Sequence, residues 1–198
     1  MDIAEAKEIL GDLFSLTAGD TNRVIQELNL PKDAKILDVG TGIGSLAITL
    51  ALNGYRVLTG EPEEDDSIYA KQEWLANAKK VGMDHLIEFE AFDAKDMPFE
   101  RGTFDAIFFL GSFHHIEEDA RGKVLQECVR VSSADALICL FEPTQDTIRM
   151  IRERDPSHPE AADPTEYAGG LDLESWRAEG DRFNAFIFRK SSRKRPST

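Results

Sequence analysis

The 198-residue sequence predicts an α/β fold, built on an open and mostly parallel β-sheet with helices on both faces. From Lys35 onward, short apolar runs alternate with helical patterns, which is typical of parallel strands joined by crossover helices. A glycine-rich turn directly follows the first of these runs, at residues 36–44. A late run at 182–188 is apolar on both faces, as expected for a strand inside a covered sheet.

Two helices are predicted ahead of the first strand. Apolar residues recur at helical spacing in residues 3–16, and we expect this helix to continue through Gly11. A second, short helix is predicted to begin after Asp20 as its N-cap and to end before Pro31. The residues of the two apolar stripes are Ile3, Ala6, Leu10, Leu13 and Phe14, followed by Val24, Ile25 and Leu28.

The central part of the chain is predicted to alternate strands with helices. The helix at 117–131 has the clearest pattern, because its apolar residues recur at intervals of one helical turn. Glu142 and Pro143 are expected to end the fifth strand, and a short helix follows. Prolines and glycines make 155–170 an irregular loop. The strands are expected near 35–39, 55–60, 86–91, 104–110 and 135–141, and the helices near 43–53, 65–80 and 117–131.

The composition of the chain argues against nucleic-acid and membrane partners and favours a cytoplasmic location. The formal net charge of −14 argues against a large nucleic-acid interface, since phosphate binding needs a basic face. No membrane association is expected, because the longest apolar runs fall short of the roughly 18 residues that span a bilayer. Cys128 and Cys139 lie in apolar patterns and are expected to be buried, reduced thiols, which favours a cytoplasmic location. The last ten residues carry five positive charges, which indicate a solvated tail or a contact with an anionic partner.

The turn after the first strand, ILDVGTGIG at 36–44, carries the functional argument. Its glycines let the backbone turn sharply and approach a ligand closely at the carboxyl edge of the sheet. Ser45 stands where the dinucleotide fingerprint requires its third glycine, which argues against NAD. Asp38 places a carboxylate beside the ligand, and this suits a cationic cofactor better than a pyrophosphate.

This segment resembles motif I of the class I methyltransferases, which use S-adenosylmethionine. The resemblance implies a Rossmann-like sheet, S-adenosyl-L-methionine as cofactor and S-adenosyl-L-homocysteine as product. In this family the glycine turn faces the methionine part of the cofactor, and the acidic residue helps to hold its charged groups. The matching positions are Asp38, Gly40, Thr41, Gly42 and Gly44.

Further matches to the family follow in order along the chain. Glu61, at the end of the second strand, is expected to accept both ribose hydroxyls, although an NAD enzyme would use the same acid. Asp93 is expected to accept from the adenine amino group, with the Ala94 N–H facing the ring. Asp105 belongs to the family pattern but equally suits a strand-initiating residue. The remaining expected cofactor-binding residues are Pro62, Leu110 and Gly111.

The resemblance places LGSFHHI, residues 110–116, beside the site of methyl transfer. We expect His114 to act as general base or to orient the substrate, with His115 as second choice. Phe113 is expected to supply an apolar wall. A packing and helix-capping role for the two histidines is an equal alternative. No metal is expected, because adjacent histidines rarely chelate one ion and no cysteine or carboxylate cluster completes a ligand set.

The family normally closes its sheet with an antiparallel hairpin. Here residues 182–188 supply the antiparallel C-terminal strand, and its partner would be a short strand near 173–178. We therefore divide the chain into an N-terminal helical cap at 1–30, a methyltransferase catalytic domain at 31–190 and a disordered basic tail at 191–198.

The function predicted from the sequence is methylation of a small molecule by in-line transfer. The expected acceptor walls are residues 10–25, 110–116 and 142–170. A protein or RNA methyltransferase and a non-catalytic cofactor-binding module are the alternatives. The sequence also allows a homodimer, and it does not indicate whether O, N, S or C is methylated.

Overall fold

The computed structural model describes residues 1–64 and 73–191. Its helices are α1 (Ile3–Leu10), α2 (Asp12–Leu28), α3 (Ser45–Leu52), α4 (Trp74–Lys80), α5 (Glu118–Val131) and α6 (Gln145–Arg152). Its strands are β1 (Ile36–Val39), β2 (Val57–Gly60), β3 (Ile87–Phe89), β4 (Phe104–Leu110), β5 (Ser132–Pro143), β6 (Leu173–Ala178) and β7 (Phe183–Lys190). Short 3-10 helices lie at Asp84–Leu86, Phe113–His115 and Pro164–Tyr167.

The seven strands form one sheet in the order β3-β2-β1-β4-β5-β7-β6. Strands β1 to β5 pair in parallel, and β7 runs antiparallel to both of its neighbours. The strand order reverses between β1 and β4, which is where open α/β sheets bind ligands. The predicted fold class, including the antiparallel strand and its partner near 173–178, is confirmed.

The apolar residues of the strands fill two cores, one on each face of the sheet. On β1, Ile36 packs into the core under α1, α2 and α3, whereas Leu37 packs into the core under α5. On β4, Phe108 and Phe109 divide in the same way. This alternation explains the continuous apolar runs in the sequence, because both faces of each central strand are buried.

Two expectations for the N-terminal helices were wrong. Gly11 breaks the first helix rather than continuing it, since its φ of 79° and ψ of −160° end α1 and begin α2. Asp20 is not an N-cap but lies inside α2. A single 17-residue helix therefore replaces the short second helix.

Asp20 is buried because it binds a distant turn. Its carboxylate accepts backbone N–H groups from Asp181 at 3.1 Å, Arg182 at 2.8 Å and Phe183 at 3.0 Å. The turn approaches so closely that a Cβ on Gly180 would lie 2.6 Å from Asp20 Cγ and 2.1 Å from the Phe183 carbonyl oxygen. Asp20 thus ties the N-terminal helices to the start of β7.

Several other predictions can be compared with the described residues. The helix expected at 65–80 is seen only as α4, and its residues 65–72 lie outside the described part of the chain. The basic tail also lies outside it from residue 192 onward. Asp105 accepts from the Lys35 N–H at 3.0 Å and from the Ser133 hydroxyl at 3.0 Å, which supports the strand-initiating role. The boundaries of the three predicted regions stay predictions.

Both cysteines are buried and unbridged, as expected. Burial raises the pKa of each thiol well above its usual range, which keeps both protonated. Within residues 1–64 and 73–191, none of the helices has the length and apolar character needed for a membrane span.

Replacing Asp20 with alanine should lower the free energy of unfolding by about 2–4 kcal/mol, because three backbone donors lose a charged acceptor in a buried position. Denaturant titration measures this loss. Glu8→Ala removes an exposed carboxylate from the neighbouring helix α1 and should change stability by less than about 0.5 kcal/mol. Equal stability of the two variants would show that the Asp20 contact contributes nothing.

Candidate active site

A cavity of about 1280 Å³ opens at the carboxyl ends of β1, β2 and β4. Its volume exceeds the roughly 300–1000 Å³ of a pocket for one small ligand. Its walls come from the turns after these strands and from α2. The residues that line it include Leu13, Leu16, Thr17, Gly40, Thr41, Gly42, Glu61, Pro62, Asp93, Ala94, Leu110, Gly111, Ser112, His115 and Phe183.

The turn after β1 is held against the turns after β2 and β4. The Gly40 N–H donates to the Gly60 carbonyl at 2.8 Å, and the Ser112 hydroxyl donates to the Val39 carbonyl at 2.7 Å. Gly40 has a φ of 97°, and a Cβ there would lie 2.6 Å from Ser112 Cβ. Only glycine fits this position without moving the segment after β4.

Asp38 lies beneath the glycine turn and does not line the cavity. Thr59 donates to its Oδ2 at 2.9 Å, and Thr41 and Thr59 share a hydrogen bond of 3.0 Å. Oδ1 is buried without a hydrogen-bond partner among the described residues. Burial raises the pKa of Asp38 to about 8; the Thr59 hydrogen bond opposes this shift and the nearby Glu61 charge adds to it. Asp38 therefore keeps its proton near neutrality when no cation lies beside it.

Glu61 connects the turn after β2 to the glycine turn. Its Oε2 accepts the Gly42 N–H at 3.1 Å, and the side chain lines the cavity although it is only 6% exposed. Gly42 accepts the left-handed conformation of this turn, with a φ of 49°, because it has no Cβ. A carboxylate fixed in this way at the end of the second strand is placed to accept hydroxyl groups of a ligand.

Asp93 and Ala94 lie on the opposite side of the cavity mouth, in the turn after β3. Asp93 Oδ1 accepts the Lys95 N–H at 2.8 Å, and Oδ2 lies 3.6 Å from the Lys95 ammonium. The carboxylate is half exposed, so it can also accept from a ligand. Gly44 begins α3 behind the turn and, unlike Gly40 and Gly42, does not line the cavity.

The far end of the cavity is bounded by different elements. Leu13, Leu16 and Thr17 reach it from α2, and Phe183 reaches it from the start of β7. The first three fall within the expected acceptor wall at 10–25. None of residues 142–170, which were also expected there, lines the cavity. Leu110 and Gly111 also line the cavity, and a Cβ on Gly111 would lie 3.6 Å from the Phe183 ring.

The three residues expected to be catalytic lie in different environments. Phe113 is fully buried against Phe109 and Tyr167 and does not line the cavity, so its position does not support the expected wall. His114 is 3% exposed and lies behind the cavity surface. His115 is exposed and lines the cavity. His115 thus lies at the cavity and His114 behind it, and the choice of the catalytic histidine stays a prediction.

His114 forms a buried pair with Glu142. Its Nδ1 lies 2.8 Å from Glu142 Oε2, which also accepts the Ala162 N–H at 3.0 Å. The pair joins the segment after β4 to the end of β5. Arg121 donates to the His114 carbonyl at 3.0 Å and fixes the backbone of the same segment.

Sequence reasoning missed two residues of this region. Ser112 was not predicted as a functional residue, because the sequence around a loop serine does not show that its hydroxyl donates to the Val39 carbonyl. His158 comes from the irregular loop and packs against the adjacent histidines, with ring centroids 5.2 Å from His114 and 4.9 Å from His115. Burial lowers the pKa of His158, so it is neutral near neutrality.

Comparison with known proteins identifies the family of the chain. A family model described as a methyltransferase domain matches residues 37–140, which is slightly more than half of the chain. The chain is 34% identical over 113 residues to 27-O-demethylrifamycin SV methyltransferase of Amycolatopsis mediterranei (strain S699), which covers 56% of this chain and 39% of that protein. It spans about two fifths of the length of the curated relatives that it matches.

Solved structures share the fold. A SAM-dependent methyltransferase from Methanosarcina mazei has a TM-score of 0.59 at 20% identity, over 84% of this chain and 96% of that chain. Geranyl diphosphate C-methyltransferase from Streptomyces coelicolor A3(2), solved with S-adenosyl-L-homocysteine, has a TM-score of 0.65 at 10% identity. That alignment covers 88% of this chain and 76% of the other.

The raised pKa of Asp38 predicts a specific pH dependence of stability in the protein without cofactor. Between about pH 4 and pH 8 the folded state keeps a proton that the unfolded chain has lost, so stability falls as pH rises through this window. Asp38→Asn cannot titrate. Relative to this variant, the wild type should lose up to about 4 kcal/mol between roughly pH 5 and pH 8. Denaturant titrations at several pH values measure the difference, and a constant difference would contradict the assignment.

Proposed function

The chain belongs to the class I methyltransferases that use S-adenosylmethionine, and we propose that it methylates a small-molecule acceptor. One observation carries the proposal. The cavity that the cofactor motif lines continues without interruption to a second wall, formed by α2, His115 and Phe183. Its volume of about 1280 Å³ leaves room for an acceptor beside the donor.

The donor would occupy the end of the cavity next to the glycine turn. We propose that Glu61 accepts the ribose hydroxyls, that Asp93 accepts the adenine amino group and that the Ala94 N–H faces the ring. Thr41, Pro62, Leu110 and Gly111 add contacts, and Gly44 shapes the turn from behind. The cationic methionine part would lie above Asp38, where its charge favours loss of the Asp38 proton.

The acceptor would occupy the other end. Here Leu13, Leu16 and Phe183 offer apolar contact, and His115 offers a polar group. The names of similar proteins support a small-molecule acceptor. One of these proteins is named for a demethylrifamycin and another for geranyl diphosphate, which differ in their chemistry. In the transfer, the acceptor's lone pair forms the new bond to the methyl carbon, the carbon–sulfur bond breaks, and S-adenosylhomocysteine leaves.

We further propose a cytoplasmic location, supported by the two buried and unbridged thiols. The catalytic group is assigned to the segment at 113–115, with His115 facing the acceptor and His114 behind it. Phe113, which packs against Phe109 and Tyr167, would hold this segment from the core rather than touch the acceptor.

Release of S-adenosylhomocysteine from the donor tests the function directly. The full chain is incubated with the donor and a panel of small hydroxyl, thiol, amine and carbon-acid acceptors. Product formed with at least one acceptor supports the proposal. Donor binding without turnover on any acceptor would instead favour a non-catalytic binding module.

Glu61→Gln should raise the dissociation constant for S-adenosylmethionine by about 10–100-fold. The amide keeps the size of the side chain but loses the charge that strengthens hydrogen bonds from the ribose. Glu88→Gln changes an exposed carboxylate outside the cavity and serves as the matched control. Calorimetric titration measures both. Equal affinities would show that the ribose binds elsewhere.

His115→Ala should lower turnover by about 10²–10⁴-fold while the affinity for the donor stays nearly constant, because His115 lies at the acceptor end. His85→Ala removes an exposed histidine outside the cavity and should leave both quantities unchanged. Single-turnover rates and donor titrations distinguish the two effects. Full turnover in His115→Ala would remove this residue from the acceptor site.

A further inference from the structure

Three of the four histidines meet beside the cavity, where His115 lines it and the other two are buried behind it. His114, His115 and His158 each offer a ring nitrogen, and these nitrogens all lie within 4.8 Å of one another. The centroids of the two adjacent rings are only 4.4 Å apart. His158 comes from the loop between α6 and β6, so the cluster is assembled by the fold rather than by a local motif.

The two ring nitrogens of His114 differ in their hydrogen bonding. Its Nδ1 is bound to Glu142, while its Nε2 is buried and has no hydrogen-bond partner among the described residues. Burying a polar nitrogen without a partner costs about 1–3 kcal/mol. A carboxylate that holds one ring nitrogen and directs the other into a cluster is the usual support of a metal-binding histidine.

His158 is oriented in the same way. Its Nδ1 lies 2.9 Å from the Pro159 carbonyl oxygen, and because a carbonyl can only accept, Nδ1 carries the hydrogen. In the neutral ring the lone pair is then on Nε2. A backbone carbonyl is the other common partner of a metal-binding histidine.

We propose that His114, His115 and His158 bind one divalent transition-metal ion, with Zn²⁺ as the reference ion. Three imidazole nitrogens are a known catalytic ligand set for zinc, and this set leaves a fourth position open. Mg²⁺ does not suit the site, because it prefers oxygen ligands in octahedral geometry. The negative charge of Glu142 offsets part of the ion's charge.

Binding of the ion would draw the ring nitrogens, now within 4.8 Å of one another, closer together. With Zn–N distances of about 2.0–2.1 Å, tetrahedral ligand nitrogens lie about 3.3–3.4 Å apart. His114 and His158 are buried and fixed by their Nδ1 partners, whereas His115 is exposed. His115 is therefore the ligand with the most freedom to move toward the ion, while the two buried rings need smaller shifts.

The open position faces the cavity because His115 lines it. This part of the inference rests on the proposed function. An acceptor hydroxyl or thiol bound there would lose its proton to solvent more easily, since a bound cation lowers the pKa of its ligand. The metal site thus favours acceptors that react through oxygen or sulfur.

Zinc titration of the full chain, free of any histidine tag, tests the site without donor or acceptor. Calorimetry and metal analysis should show one equivalent of Zn²⁺ bound with micromolar or tighter affinity, and no binding of Mg²⁺. His158→Ala should weaken zinc binding by about 100-fold or more, and Glu142→Gln by about 10–100-fold. His85→Ala, which removes the histidine outside the cluster, should not change it.

Absence of stoichiometric zinc binding would overturn the inference, as would equal binding by His158→Ala and His85→Ala. Circular dichroism and donor titration show whether each variant is folded. Because the donor site is separate from the cluster, donor binding by His158→Ala distinguishes the two proposals. Loss of zinc with donor affinity retained supports the site, whereas a chain that binds zinc but no donor would contradict the proposed function alone.

Discussion

The functional region depends on one close approach, between the turn after β1 and the segment after β4. Ser112 donates to the Val39 carbonyl, and Gly40 leaves no room for a Cβ beside Ser112. This contact fixes the segment that begins at Gly111 and leads directly to His114 and His115. The hydrogen bond from Gly42 to Glu61 secures the other side of the same turn. The glycine turn and the segment that carries both histidines are therefore positioned by the same contact.

The sequence could predict residues whose structural role depends on the residues next to them in the chain. The spacing of the glycines at 40–44 identified the turn. A sharp turn directly after a buried strand requires glycine at the positions where the backbone has a positive φ. The central parallel strands were found because both of their faces are buried, which gives uninterrupted apolar runs. The edge strand β6 was expected near 173–178 because the family that the sequence resembles closes its sheet with an antiparallel hairpin, and the structure confirms it.

Residues that act across the fold could not be predicted. Asp20 was expected to cap a helix, but it binds the backbone of Arg182, 162 residues away. His158 lies in a loop without periodicity, and only the three-dimensional structure brings it to the paired histidines. The sequence argument against a metal assumed that no further ligand was present. The sequence also could not distinguish the two adjacent histidines, because only the structure shows that His115 lines the cavity and that His114 is buried.

A crystal structure of the full chain with S-adenosylhomocysteine tests the central claim most directly. The account predicts the ligand in the cavity at the carboxyl ends of β1 and β2, with both ribose hydroxyls within about 3.2 Å of the Glu61 carboxylate. Its adenine amino group should lie at Asp93, and its sulfur should point toward the end bounded by His115. A ligand bound outside this cavity, or with its ribose remote from Glu61, would contradict the account.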